Sequence, residues 1–174
     1  VDFKYGVDEK IDVKKIKKEY DFVVLATGAL AKGYCPVKSG EENLADALDF
    51  LRENKRLKGK MDLGDKVGVI GGGDVAMDCA RAAKRGGTKD VYIIYRRTKE
   101  FMPAEAEELL EAMQDGVELI ELLSPVSYDG KVAELEVMQL GDVGADGRRK
   151  VSGTGEFKQM PLSYLISATG SRVD

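Results

Sequence analysis

The 174-residue sequence predicts an α/β fold in which a parallel sheet is followed by a small antiparallel β-meander. Three observations predict it. Short Val-rich apolar runs occupy residues 22–26, 66–70 and 91–95, two of them ending at glycine turns. An amphipathic helical pattern separates the second run from the third. After Gly116 the texture changes to alternating strands and tight turns.

Composition sets the outer bounds. With 43% hydrophobic and 33% charged residues, the chain can build one good core or two small ones, which excludes a disordered polymer and a mini-protein. Lys and Arg total 27 against 31 Asp and Glu, and the net charge of -4 argues against a general nucleic-acid binder. No apolar stretch reaches the length of a bilayer span. The opening Val1-Asp2-Phe3-Lys4 has neither a charged n-region nor an apolar h-region, so a cytoplasmic, non-secreted location is expected. The first residue is not Met and the chain starts in mid-pattern, as expected of a segment of a longer protein. With no His, imidazole acid/base catalysis and His-based triads are excluded within this chain. Cys35 and Cys79 match neither a CxxC redox pair nor a disulfide framework, and structural thiols are expected.

In order along the chain, residues 11–20 read as a charged helix whose Lys14, Lys15, Lys17 and Lys18 form a solvated face. The run at 22–26 reads as a buried strand ending in Thr27-Gly28-Ala29. A loop through Gly33, Pro36 and Gly40 follows. Asn43 is the expected N-cap of a helix with Leu44, Ala47, Leu48 and Leu51 on its inner face. Residues 66–70 form a second buried strand, followed by Gly71-Gly72-Gly73, a helix to about Gly86, and a third strand at 91–95. Strand, glycine turn, helix and parallel strand within some thirty residues make one βαβ unit. Pro103 is expected as the first residue of a helix with Ala106, Leu109, Leu110 and Met113 inward and Gly116 as its stop. Residues 117–123, 126–128 and 132–140 read as strands, 141–155 as a long mobile loop with five glycines, and 161–168 as a closing strand before Thr169-Gly170.

Gly71, Gly73 and Ala76 fit G-x-G-x-x-A in the context its mechanism requires. The first glycine permits a tight turn, the second lets backbone approach a pyrophosphate, and the small third residue lets helix and strand pack closely. The stripe Ala76, Cys79, Ala80 and Ala83 supports such packing. Backbone N–H groups of Asp74 and Val75 would face the pyrophosphate at the positive end of the helix dipole. The alternative is an ordinary glycine turn before an amphipathic helix. Where an NAD site carries an acid on the ribose, this sequence has Arg96-Arg97, and a guanidinium pairs with a 2'-phosphate. NADPH is therefore the expected nucleotide, although two surface arginines, or Glu100 folding back to a ribose, are the alternatives. Asp74 and Asp78, with Arg81 and Arg85, read as helix-stabilising charges.

Gly71-Gly72-Gly73-Asp74-Val75-Ala76-Met77-Asp78, the strand end Tyr95-Arg96-Arg97, and Met102-Pro103-Ala104 with Glu107 and Glu108 resemble the pyridine-nucleotide domain of the glutamate synthase small subunit and the related reductase part of dihydropyrimidine dehydrogenase. Residues 20–29 resemble the strand by which those flavoproteins leave their FAD domain, and residues 165–170, with Ala168-Thr169-Gly170, the strand by which they return. The resemblance implies a Rossmann-like NADPH-binding domain from a two-dinucleotide-domain flavoprotein. It divides the chain into a FAD-domain remnant (1–30), a connector loop and helix (31–65), the NADPH-binding domain (66–170) and the start of the return (171–174). Cofactor-binding residues are then Gly71, Gly72, Gly73, Asp74, Val75, Ala76, Arg96, Arg97, Ala168, Thr169 and Gly170. The implied parent passes hydride from NADPH to FAD and on to an iron–sulfur or large catalytic subunit or domain. FAD is not expected on this segment alone, because the family's flavin motifs lie outside it, and the isolated segment is expected to be inactive.

Two other classes stay open. One is a non-catalytic NAD(P)-binding or scaffolding module, since no residue is an evident proton donor or nucleophile. The other is a small-alcohol dehydrogenase using Tyr95 and Lys99, a Tyr-x-x-x-Lys match that reads as chance because Tyr95 ends a strand. The orphan strand at 22–26 is expected to dock on the remaining domain or to pair with a second copy as a homodimer.

Overall fold

The computed structural model describes residues 1–6, 11–29, 31–34, 37–144 and 149–172. Cys35, Pro36, the tip of the expected loop at 145–148, and residues 173–174 lie outside the described residues. In chain order the elements are α1 (Val13–Glu19), β1 (Ala31–Lys32), β2 (Ala45–Asp46), α2 (Ala47–Arg56), β3 (Lys66–Ile70), α3 (Asp74–Arg85), β4 (Asp90–Tyr95) and α4 (Ala106–Gln114). Then come β5 (Glu118–Glu121), β6 (Leu123–Tyr128), β7 (Val132–Val143), β8 (Arg149–Pro161), β9 (Tyr164–Ser167) and β10 (Ser171–Arg172).

The Val-rich runs at 66–70 and 91–95 lie inside a five-stranded parallel sheet of order β2-β9-β3-β4-β5. Their unbroken hydrophobicity follows from burial on both faces. Val67, Val69, Val91, Ile93 and Ile166 face a helix layer containing Phe50 of α2, Met77 and Cys79 of α3, and Ala112 of α4. Ile70, Ile94 and Leu165 face the antiparallel sheet β6-β7-β8, which contributes Leu123, Tyr128, Ala133 and Leu135. Helices, parallel sheet and meander thus stack as three layers. Among the described residues no helix is long and apolar enough to cross a membrane.

The sequence-based expectations are corrected at several elements. The run at 22–26 is not a strand, and Phe22 is 90% and Val24 86% exposed. It does not dock on the layers, because a strand apolar on both faces needs cover on both, and the helix and meander layers are already filled by other strands. The N-cap of α2 is Asp46, whose carboxylate accepts from the Leu48 and Asp49 amides at 3.0 and 3.2 Å, whereas Asn43 donates to the Tyr128 carbonyl at 3.2 Å. The helix therefore begins after a short strand, and its buried residues are Ala47 and Phe50 rather than Leu44 and Leu48.

Pro103 does not open α4, which starts at Ala106 and turns Leu109 and Ala112 inward, leaving Leu110 and Met113 exposed. Here tertiary bonds override the local start signal: the Ala104 amide donates to the Gly72 carbonyl at 2.9 Å, and the Glu105 amide donates to the Asp74 carboxylate at 3.0 Å. The expected single strand at 117–123 is two, broken at Leu122, whose φ of +56° carries the chain from the parallel sheet into the antiparallel one. Pro125 sits inside β6 at a bulge, where a missing N–H is tolerated. Most of the expected loop at 141–155 is ladder, with Gln139 opposite Ser152, Leu140 opposite Val151 and Val143 opposite Arg149. Gly153 is paired opposite Met138, and bulges absorb the register shifts.

Arg81 and Arg85 do not pair with Asp74 and Asp78 but tie α3 to α4. Arg81 reaches Glu111 at 2.6 Å, Asp115 at 3.0 Å and Glu108 at 3.2 Å, and Arg85 reaches Asp115 at 2.9 Å. The hydrogen bond from Arg81, with the nearby Arg85 charge, holds the Asp115 carboxyl below the usual carboxylate range. A folded-state value below the unfolded one stabilises the fold above the ordinary carboxylate pKa and loses that contribution as pH falls through the lowered value. The melting temperature of Asp115→Asn should therefore fall below that of the unmutated chain at neutral pH, and the gap should close below about pH 4. Parallel melting curves through the acid range would show that the carboxylate charge contributes nothing.

Candidate functional site

The carboxyl ends of β3, β4 and β9 open on a cleft of about 600 Å³. Open parallel sheets bind ligands at this edge, where helix N-termini and loops converge. The glycine turn after β3 forms one wall. Gly71 has φ +144°, and a Cβ there would lie 2.4 Å from the Ala168 carbonyl oxygen. A side chain on Gly72 would strike the Tyr95 ring at 2.5 Å, and that ring is fixed by its hydroxyl donating to the Phe101 carbonyl at 2.7 Å. Gly73 differs from both. Its φ of −98° and ψ of 175° suit any residue, and the nearest atom to an added Cβ is Pro103 Cγ at 3.9 Å.

Gly73 is also the N-cap of the twelve-residue α3, and no side chain caps that end. The positive end of the helix dipole therefore faces the cleft beside Asp74 and Val75. Asp74 turns its carboxylate to the Glu105 amide. Ala76 does not line the cleft: it is fully buried behind the turn, against the sheet.

The far wall is the end of β4. Arg96 is exposed and has no hydrogen-bond or ion-pair partner among the described residues. Arg97 donates from Nε to the Arg149 carbonyl at 3.5 Å and pairs with no described carboxylate. On the third side, Ala168, Thr169 and Gly170 leave β9 and are clasped by the strap that carries β1. β1 pairs with β10, Thr169 Oγ1 donates to the Tyr34 carbonyl at 2.5 Å, and Gly33 packs so closely on the Gly170 carbonyl that a Cβ would lie 2.0 Å from its oxygen.

The cleft thus gathers every expected cofactor-binding residue except Ala76. It also brings in Tyr34, Tyr95, Pro103 and Pro125, none of which was expected among the cofactor-binding residues. Met102-Pro103-Ala104 is the local signal that pointed toward this wall; Tyr34 and Pro125 arrive from elements remote in sequence and carry none. Tyr95 and Lys99 do not form a proton-transfer pair, because the Tyr95 hydroxyl is already donated to Phe101. Cys79 is fully buried, and burial pushes its thiol up to about 12, so it stays protonated and unreactive at neutral pH.

The three layers and the glycine-lined cleft at the carboxyl edge define an α/β domain of the FAD/NAD(P)-binding kind. The chain belongs to the pyridine nucleotide-disulphide oxidoreductase family, which it matches over residues 2–174. It is 36% identical over its whole length to the putative oxidoreductase YgfK of Escherichia coli O157:H7, covering 17% of that protein. It is 34% identical to the NADP(+)-dependent formate dehydrogenase subunit beta of Moorella thermoacetica, over 97% of this chain and 25% of that one. It is 33% identical to the glutamate synthase [NADPH] small chain of Escherichia coli K12, over 99% of this chain and 41% of that one. The chain therefore spans less than half the length of these relatives, and the resemblance to the glutamate synthase small subunit holds. Among solved structures, Mycobacterium tuberculosis FprA in complex with NADPH shares the fold with a TM-score of 0.72 at 18% identity, over 93% of this chain and 52% of that one.

Proposed function

We propose that this chain is the NADPH-binding domain of an FAD-dependent oxidoreductase, in which hydride passes from NADPH to flavin and electrons go on to a partner redox centre, an iron–sulfur or large catalytic subunit or domain. One observation carries the reading: a glycine turn with open space at Gly73, at the uncapped start of α3, lies across one cleft from two arginines that have no carboxylate partner among the described residues. That arrangement suits a pyrophosphate at one wall and a 2'-phosphate at the other. The names of the formate dehydrogenase and glutamate synthase relatives, which specify NADP(+) and NADPH, support the same nucleotide.

The residues proposed to hold NADPH are Gly71, Gly72 and Gly73 with the amides of Asp74 and Val75 at the pyrophosphate, Arg96 and Arg97 at the 2'-phosphate, and Ala168, Thr169 and Gly170 along the wall formed at the end of β9. Ala76 holds the helix close behind the turn. The bound nucleotide supplies a hydride, and the chain's own task is to position it, which does not call for an acid or base side chain. In this reading residues 1–30 belong to a FAD domain, residues 66–170 bind NADPH, and residues 171–174 begin the return. The exposed apolar side chains of Phe22, Val24 and Leu25 support that assignment as a surface meant for cover, and the β1–β10 pair brings the two crossings side by side. Calorimetric titration of the chain with NADPH and NADH tests the reading: NADPH should bind more tightly, and equal affinities would sink it.

A further inference from the structure

The β7–β8 ribbon overshoots the meander at the arginine end of the cleft. β6 starts at Leu123, on the cleft wall and opposite Val137 of β7, and beyond that pair β7 and β8 continue as two strands alone. The ribbon is tied to the end of β4 in two ways. Through the backbone, the Met138 amide donates to the Leu122 carbonyl at 2.8 Å, and the Leu122 amide donates to the Arg97 carbonyl at 3.3 Å. Leu122 makes this bridge in a left-handed conformation that a leucine rarely adopts, the kind of local strain a fold retains where surrounding contacts enforce it. Through the side chain, Arg97 Nε donates to the carbonyl of Arg149.

The Arg149 side chain braces the strand end that carries this carbonyl, beside the Val143–Arg149 backbone pair. The ladder is irregular between Leu140 and Val143, and the Arg149 guanidinium bridges the gap by donating to the Gly141 carbonyl at 2.8 Å and the Leu140 carbonyl at 3.4 Å. The geometry points to Arg149 as a positioning residue for NADPH selectivity, an inference that rests on the proposed NADPH site. An arginine has one N–H on Nε and four on its two Nη atoms, and a phosphate is gripped best by a planar pair of donors. With Nε turned to the Arg149 carbonyl at 3.5 Å, both Nη groups of Arg97 have no partner among the described residues, and the contact favours one orientation of the fork. In this arrangement the end of the ribbon is a rest for the arginine proposed to meet the 2'-phosphate, and Arg149 itself does not line the cleft.

The test is calorimetric titration with NADPH, NADH and 2',5'-ADP of the full chain, of Arg149→Ala and Arg149→Lys, and of each of these in an Arg97→Ala background. Releasing one long side chain from a fixed orientation costs roughly two- to tenfold in affinity. Arg149→Ala should weaken NADPH and 2',5'-ADP by about that factor and leave NADH unchanged, with Arg149→Lys, which keeps the charge and one donor, in between. In the Arg97→Ala background Arg149→Ala should have no further effect. Loss that persists in that background would mean Arg149 acts by its own charge, and equal loss for NADPH and NADH would mean it is merely structural; either result overturns the inference. Unchanged NADPH binding in Arg149→Ala, with the unmutated chain still preferring NADPH and Arg97→Ala still weakening it, overturns this inference while sparing the site. An unmutated chain without preference for NADPH overturns both.

Discussion

Gly73→Val should leave the fold intact and abolish NADPH binding. The two halves of that expectation have separate causes. Gly73 is in extended backbone at φ −98° and ψ 175°, a region that β-branched residues favour, and the space beyond its α-carbon is open to 3.9 Å. Nothing in the protein itself requires a glycine there. In the proposed NADPH site, what requires it is the pyrophosphate seated against the backbone at the start of α3, which any side chain would displace. Gly71 is the contrasting case, because φ +144° and the Ala168 carbonyl 2.4 Å from an added Cβ make it a demand of the fold. Gly71→Val should therefore lower the melting temperature sharply, while Gly73→Val should melt within a few degrees of the unmutated chain and give no calorimetric heat with NADPH. A well-folded Gly73→Val that still binds NADPH would move the pyrophosphate away from this turn.

What was legible in the sequence was what short segments decide for themselves. β3, the glycine turn, α3 and β4 are contiguous, and strand burial, turn and helix packing reinforce one another, so residues 66–95 could be read nearly to their ends. Cooperation between distant segments was not legible. The apolar run at 22–26 reads as a segment to be buried, yet its Phe22, Val24 and Leu25 stay exposed, because no local pattern says which surface would cover them. The start of α4 looked settled by Pro103, yet the glycine turn holds residues 104 and 105 out of the helix by two hydrogen bonds. Residues 141–155 read as a loop because glycines and charges dominate their composition. The extended state of residues 141–143 and 149–155 comes from the partner strand, which composition does not report. In the site, the glycine turn and the arginine pair were visible because each follows its strand directly. Tyr34 and Pro125 were not: Tyr34 is held there by Thr169, far along the chain, and Pro125 lies in β6, which belongs to a different sheet from the strands that carry the turn and the arginines.

Replacing Arg96 and Arg97 with alanine should cost NADPH far more affinity than it costs NADH. The two nucleotides differ only at the 2'-position, so a contact that reads the phosphate leaves NADH unaffected. A hydrogen bond to a charged group contributes about 1.5–3 kcal/mol, which is roughly ten- to a hundredfold in affinity for each arginine. Neither guanidinium must first give up a carboxylate, because no described acid pairs with either one. Their attraction for a 2'-phosphate is therefore not offset by a broken ion pair. The exposure of Arg96 works in the other direction, since solvent screens its charge, and Arg97 is the more buried and better held of the two. Arg97→Ala should accordingly cause the larger loss of the pair, and the double variant should bind NADPH and NADH with nearly the same affinity. Raising the salt concentration should weaken NADPH binding to the unmutated chain more than NADH binding, and the double variant should lose that difference. Parallel losses for the two nucleotides in the calorimeter would mean that the arginines serve the pyrophosphate or the fold, and that the 2'-position is read elsewhere.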